Sequence, residues 1–369
     1  MLTKPGLKYA KLRLTLTLVM RKDELRLLRD YIIGWILALG MWTIVRNVGV
    51  TVNAPAEPEP HENLRMLFIF GPLAGLLFGL VQVKFERYLL RRIPLWKLII
   101  YGLITNTAIM SLLFTMAFFF FQNVVGFKEP TTFGQFITNP NAVLTFLYSL
   151  LVNFVMASVR EINLLLGPGN LWRFVKGDFY SPRVEKRVFM FIDLKGSTSI
   201  AEKLGHIKYS RFIQDCFYDL NVVRHSGAEV YQYVGDEVIL SWKVHERLQY
   251  MRCLQAFWDY EDELEKRESY YLDKYGIAPR FKAGINLGEV TTAEVGEIKR
   301  EIAYHGDTMN IAARIQDRCN EYDQTLLASE FFSERLKESK AYDLELMGEE
   351  LLRGKNEALK IYAVKRSAS

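Results

Sequence analysis

The distribution of charge in the first 160 residues restricts this chain more than any other feature. Residues 66 to 83, 98 to 127 and 142 to 159 contain no Asp, Glu, Lys or Arg, and a fourth apolar run, YIIGWILALGMWTIVRNVGV at 31 to 50, has only Arg46 near its outer end. A helix rises about 1.5 Å per residue, so each run is long enough to cross a bilayer core of about 30 Å. One such run alone is ordinarily a buried core helix. Four in succession, with none of that length after residue 160, predict an α-helical membrane domain over residues 1 to 163, with transmembrane helices at about 31 to 52, 64 to 83, 97 to 122 and 142 to 160. Arg46 is compatible with this because a long side chain near a helix end reaches back to the headgroups.

The loops set the orientation. Lys4, Lys8, Lys11, Arg13, Arg21, Lys22, Arg26 and Arg29 precede the first span, and Lys84, Arg87, Arg91, Arg92 and Lys97 follow the second. The loop NAPAEPEPHEN has three Glu and no Lys or Arg, and the third loop has only Lys128 and Glu129. Positive loops stay inside, so the amino terminus and everything after residue 160 are expected in the cytoplasm of a multi-pass cell (inner) membrane protein. The first span begins 30 residues in with no small-residue cleavage pattern behind it, which reads as an anchor. Net charge of +5 is expected to meet anionic lipid headgroups, and nothing resembles a reader of nucleic acid. Cys216, Cys253 and Cys319 have no paired spacing, and no HExxH is present, so zinc and dithiol chemistry have no support.

A connector over 164 to 183 contains Gly167, Pro168 and Gly169, which break a continuous helix, and Pro182, which forces extended backbone before the first strand. From 184 to 369 the pattern alternates. RVFMFIDL reads as a strand, 199 to 224 as a helix, AEVYQYVGDEVILSW as a hairpin turning at Gly235-Asp236, and 245 to 275 as a charged helix. Strands follow in RFKAGINLGEVTTAEVG, then a helix in DTMNIAARIQDRCNEY, then short strands near 325 to 328, 342 to 347 and 358 to 364. This mixed order favours an antiparallel-rich α+β sandwich over a doubly wound sheet.

Asp193 closes the first strand and Asp236 opens the second arm of the hairpin. On neighbouring strands the two carboxylates emerge at one rim, where they repel, and partial burial adds a desolvation cost that a cation between them offsets. Oxygen ligands beside a Gly-Ser-Thr turn suit Mg²⁺ or Mn²⁺, which complete their shells with water and phosphate. The turn, Gly196-Ser197-Thr198, opens a helix whose N-H groups and dipole favour those phosphates. The ordinary alternatives are that Asp193 caps the helix and Gly235-Asp236 is a plain hairpin turn. A Walker loop is excluded, since GxxxxGK[ST] does not occur.

FIDLKGST, YVGDEV and HGDTMNIAARIQ, in this order, resemble the signatures of the class III nucleotidyl (adenylyl and guanylyl) cyclase catalytic domain over about residues 184 to 364. The resemblance implies a ferredoxin-like, palm-type sandwich and a lyase that converts a nucleoside triphosphate to its 3′,5′-cyclic monophosphate and pyrophosphate, for intracellular signalling. It implies Asp193 and Asp236 as metal ligands with the carbonyl of Leu194, and two Mg²⁺ or Mn²⁺ per active site. Gly196, Ser197 and Thr198 would hold the triphosphate with Lys355, and Asn310 and Arg314 would orient the ribose and stabilise charge on the reacting phosphate. Because one chain carries both half-sets, the resemblance implies a homodimer with two shared sites. Outside loops of about a dozen residues are too small for a ligand-binding domain, so a stimulus is expected within the membrane or through a membrane-embedded regulator.

The base-reading positions depart from the family pattern. Gln232 and Ala303 stand where adenylyl cyclases carry a Lys and an Asp or Thr, and the guanylyl set is absent too. Gln both donates and accepts, whereas Ala does neither. ATP is the expected substrate, with GTP, CTP or UTP as alternatives. A different class of reading, a catalytically inactive cyclase-like regulatory module, is disfavoured because Asp193, Asp236, Asn310 and Arg314 are all retained. VGDEV falls short of the GGDEF of diguanylate cyclases. Tyr231, Tyr233 and Trp242 read as sheet packing rather than base stacking.

Overall fold

The computed structural model describes residues 22–49, 60–88, 94–126, 130–167, 170–246, 249–298, 300–336, 341–351 and 358–367. The chain divides into two compact units, Met1–Ile162 and Asn163–Ser369.

The first unit contains α1 (Lys22–Gly49), α2 (Pro60–Tyr88), α3 (Leu95–Phe120) continued by a π-helical turn, the short α4 (Phe133–Thr138), and α5 (Pro140–Leu166), which runs on into the second unit. Among the described residues, four segments are long and apolar enough to cross a membrane: Glu24–Val45, Leu67–Phe85, Ile99–Val125 and Pro140–Leu166. Helix α1 begins well before the predicted residue 31. The apolar run marks where a span is greasy, but once a helix is nucleated the charged turn Lys22–Arg29 extends it cheaply. Gly71, Gly75 and Gly79 form a stripe at four-residue spacing that faces α1. A Cβ on Gly75 would lie 2.8 Å from the Tyr31 carbonyl oxygen, so only glycine allows this approach. Close backbone contact of this kind is what packs helices in lipid, where apolar burial gives no net drive.

The second unit contains α6 (Asn170–Val175), β1 (Arg183–Leu194), α7 (Ser197–Leu204), α8 (His206–Asp219), β2 (Glu229–Val234), β3 (Glu237–Lys243), α9 (Tyr250–Lys266) and α10 (Glu268–Tyr275). It continues with β4 (Phe281–Val295), β5 (Glu301–His305), α11 (Asp307–Asp317), β6 (Leu326–Ser329), α12 (Glu330–Ser333), β7 (Tyr342–Leu351) and β8 (Ala358–Arg366). The strands form one sheet in the order β2-β3-β1-β4-β6-β8-β7, with β5 paired to β4. Every pairing is antiparallel except β4 with β6.

Several predicted elements are divided or joined. The helix expected over 199 to 224 breaks at Gly205, whose φ of 69° a residue with a Cβ adopts poorly, and the one over 245 to 275 breaks at Arg267. The strands expected in RFKAGINLGEVTTAEVG are a single strand, β4, and β5 was not anticipated.

The two faces of the sheet differ. Val188, Met190, Ile192 and Leu194 of β1 point into a large core with Phe212 and Cys216 of α8, Leu254, Phe257 and Tyr260 of α9, and Tyr271 of α10. Phe189 and Phe191 point the other way, into a small cluster with Ile239, Val290 and Ala312 of α11. Helix α11 lies directly on bare strand backbone. A Cβ on Gly284 would be 2.6 Å from the Ala312 carbonyl oxygen and would overlap the Gln316 amide, and one on Gly288 would strike Thr308.

The connector docks on the same unit. Phe179 is 2% exposed, and its carbonyl accepts from the Glu294 N-H at 3.0 Å. Arg173 of α6 stacks over Phe179 and pairs with Glu185 at 2.7 Å, and Glu185 also takes Lys243 at 2.7 Å and Arg187 at 3.1 Å. Arg187 is fully buried. It donates to Ser241 at 2.8 Å, pairs with Glu229, and lies over the Tyr304 ring. A buried guanidinium is tolerable only with partners on this scale.

Candidate active site

The β1–β3 register sets Asp193 opposite Glu237. Asp236, in the turn just before β3, therefore stands at the same end of the sheet as Asp193. On the other side of β1 the register sets Asp193 opposite Lys282 of β4. The Lys282 ammonium lies 3.4 Å from Asp193 Oδ2, and Gln316 Nε2 of α11 donates to the same oxygen at 3.2 Å.

The rim is short of positive charge. Burial and then the charge of Asp236 push the Asp193 carboxyl up, against the pull of Lys282 and Gln316. Glu237 is pushed up to about 7 by burial, then by Asp193, Asp317 and Asp236. Tyr209 is raised to about 12 by burial and then by Asp236 and Asp193, against a smaller downward pull from Ser197. The cause in each case is partial burial first and neighbouring carboxylates second, which together favour neutral forms or an added cation.

Next to this rim Gly196 adopts φ 70°, the left-handed conformation that lets β1 turn straight into α7. Ser197, partly buried, and exposed Thr198 then begin the helix, so unpaired first-turn N-H groups sit one turn of chain from Asp193. Leu194 is buried as the last residue of β1.

Asn310 and Arg314 are both exposed, while Thr308, Ile311, Ala312, Ile315 and Gln316 form the buried face of α11. Four residues apart, they share the outward face, as the spacing requires. Among the described residues, no hydrogen bond or ion pair joins either to the aspartates. Gln232 is exposed just after a β-bulge in β2, and Ala303 is partly buried on β5, where it pairs with Ala293. Their neighbours Tyr231 and Tyr304 meet with ring centroids 4.9 Å apart. Trp242 is buried and its indole donates to Ser226 at 3.3 Å, while Tyr233 is exposed and tilts against Phe217. Lys355 lies outside the described residues.

Lys282 and Gln316 were not singled out from sequence. Both carried a signal: Lys282 is a lone charge between apolar neighbours in FKAGIN, and Gln316 is a polar residue on the apolar face of a helix.

The residues present fit a divalent cation. Asp193, held above its ordinary range by burial and then by the charge of Asp236, would with Asp236 and the peptide carbonyl of Leu194 make an all-oxygen donor set. Among the described residues no cluster of three or more His, Cys, Asp or Glu forms a ready metal cage.

Residues 179–366 match the model of the adenylate and guanylate cyclase catalytic domain. The chain belongs to this family, the class III nucleotidyl cyclases. It is 28% identical over 218 residues to adenylate cyclase 2 of Rhizobium meliloti (strain 1021), covering 59% of this chain and 60% of that protein. It is 26% identical over 192 residues to an adenylate cyclase of Anabaena cylindrica, covering 49% and 37%. The chain thus spans 60% or less of each of these two relatives. Among solved structures, a bacterial light-regulated adenylyl cyclase shares the fold, with a TM-score of 0.51 at 16% identity over 64% of this chain and 71% of that one.

Proposed function

We propose that this chain is a membrane-anchored nucleotidyl cyclase that converts ATP to 3′,5′-cyclic AMP and pyrophosphate at two sites shared across a homodimer. One observation carries the reading: Asp193 and Asp236 stand at one sheet rim, while Asn310 and Arg314 of the same protomer are exposed and, among the described residues, bond to neither aspartate. A site complete in one protomer has no reason to turn its ribose and phosphate ligands to solvent. A second copy offers them a partner rim, and rotation by a two-fold axis then builds two sites.

Asp193, Asp236 and the Leu194 carbonyl would hold two Mg²⁺ or Mn²⁺ ions. Bound there, the ions supply acidification of the ribose 3′-hydroxyl and neutralisation of the triphosphate. The amides of Gly196, Ser197 and Thr198 hold the phosphates at a helix start, with Lys282 close by and Lys355 completing the cradle. Asn310 orients the ribose so that its 3′-oxygen is in line with the α-phosphorus. The new bond joins these two atoms, the bond to the pyrophosphate oxygen breaks and its electron pair leaves with pyrophosphate, and the hydroxyl proton passes to solvent water. Arg314 gives a planar, permanently charged donor where negative charge grows on the α-phosphate. No side-chain nucleophile is needed.

The name adenylate cyclase, carried by the two relatives above, supports ATP as substrate. Gln232 has the donor and acceptor needed to read an adenine edge, and small Ala303 leaves the base room. The antiparallel order β2-β3-β1-β4 supports a ferredoxin-like palm. The four apolar helices support an inner-membrane anchor with the catalytic unit cytoplasmic, through which a stimulus adjusts the dimer.

The test is to incubate the purified full chain with Mg²⁺ or Mn²⁺ and each of the four nucleoside triphosphates, and to identify products by mass spectrometry. Cyclic AMP is expected as the main product. Another cyclic nucleotide as main product would move the base assignment, and no cyclic product from any triphosphate with either metal would overturn the reading.

A further inference from the structure

We propose that Gln316 is a positioning residue for the metal site: from the buried face of α11 it fixes the Asp193 carboxylate, leaving that group's second oxygen for the cation. The inference rests on the metal-site reading above but not on cyclase activity. Three observations carry it. Gln316 is 2% exposed, yet its side-chain amide is directed at a carboxylate, donating to Asp193 Oδ2 at 3.2 Å. Lys282 approaches the same oxygen, at 3.4 Å, so both protein donors act on one side of the carboxylate and Oδ1 is not engaged by either. The backbone from which Gln316 projects is closely seated, because its amide lies against Gly284, where a Cβ would overlap it.

An aspartate at a strand end has a free χ2 rotation. A carboxylate that must present one oxygen to a cation in a fixed direction loses affinity if it rotates, and the group that stops the rotation acts through it. Such outer partners of metal ligands commonly account for about 10- to 100-fold in metal affinity. A neutral amide suits this task better than a second cation, since it orients the carboxylate without competing with the metal for its charge. The register between β1 and β4 supplies Lys282 for charge, and α11 supplies Gln316 for direction.

The test is Mn²⁺ binding to the full chain, read by the electron paramagnetic resonance of free Mn²⁺ without nucleotide. Gln316→Met keeps the length and volume of the side chain and removes the donor. It is expected to weaken Mn²⁺ binding about tenfold. In activity assays the same variant should lie furthest from wild type at low Mn²⁺ and approach it as Mn²⁺ is raised, with the nucleotide KM at saturating Mn²⁺ shifted less than twofold. A role limited to seating α11 predicts the reverse: unchanged Mn²⁺ binding, with a raised KM or lowered kcat that no amount of metal repairs. Gln316→Leu serves as a second variant if Met fails to fold. Mn²⁺ affinity within twofold of wild type in a folded variant overturns the proposal, whether or not the protein proves to be a cyclase. A wild-type chain that binds no Mn²⁺ overturns the metal reading along with it.

Discussion

The two faces of the sheet in the second unit are built from the same strands and serve opposite ends. Along β1, Val188, Met190, Ile192 and Leu194 alternate with Arg187, Phe189, Phe191 and Asp193. The first set is sealed under α8, α9 and α10. The second has α11 over Phe189 and Phe191 and ends in a carboxylate whose pKa burial and then a neighbouring charge push up. A strand with a period of two can supply a core and a rigid frame for chemistry at once. The sealed face fixes where the backbone lies, so the open face can present Asp193 where repulsion from Asp236 would otherwise move it. Stability and activity should therefore separate by face.

The largest separation is expected at Asp193. Asp193→Ala should reduce cyclic nucleotide to background in a mass-spectrometric assay while leaving the thermal midpoint unchanged or raised, because it removes one of two repelling carboxylates. A fall in midpoint as large as that of a core variant would break the comparison. On the sealed face, Phe257→Ala should cost about 3–5 kcal/mol in urea unfolding, since Phe257 is fully buried and its loss leaves a cavity. Activity per folded molecule should change little.

Gly284→Ala sharpens the comparison because it acts on α11, the helix that lies over the open face. The added methyl meets the Ala312 carbonyl and the Gln316 amide, neither of which is a flexible side-chain end. A loss of about 1–3 kcal/mol is expected from overpacking, with a fall in activity per folded molecule, since α11 carries Asn310, Arg314 and Gln316 together. Urea unfolding and steady-state kinetics on the same preparation separate the two effects. The smallest effect concerns pH on the helical side. Burial raises the Asp215 carboxyl, but hydrogen bonds from Lys274, Tyr275 and Tyr270 outweigh it and the net shift is downward. A depressed carboxyl contributes stability that is complete above the ordinary value of about 3.9 and is lost as pH falls through the folded value. Asp215→Asn should therefore flatten the loss of stability between about pH 5 and pH 2 in acid unfolding, with no change in metal dependence at neutral pH.

Much of this was legible in the sequence. Asp193 and Asp236 stood out because an acid ending an apolar strand is conspicuous; Asn310 and Arg314 came only from the resemblance of HGDTMNIAARIQ to the family signature, with which their four-residue spacing on one helix face agrees. Lys282 and Gln316 did not stand out. A single Lys in a strand and a single Gln in a helix are common, and they acquire meaning only when register and the bare backbone of Gly284 bring both to Asp193. The apolar runs located four helices of the first unit but not the start of α1, because hydropathy reports the apolar part of a helix and charged turns extend it silently. The Gly71, Gly75 and Gly79 stripe was readable at its spacing, but its partner face on α1 was not. Breaks at Gly205 and Arg267 were hidden by apolar periodicity continuing on either side.

The central claim is that each active site takes its carboxylates from one protomer and its Asn and Arg from the other. It is tested most directly by mixing Asp193→Ala with Arg314→Ala chains and measuring cyclic nucleotide. Each variant alone should be inactive, and a random mixture should recover up to about a quarter of wild-type sites, because half the dimers are mixed and each mixed dimer has one whole site. Background activity from dimers verified to be mixed would contradict the shared site.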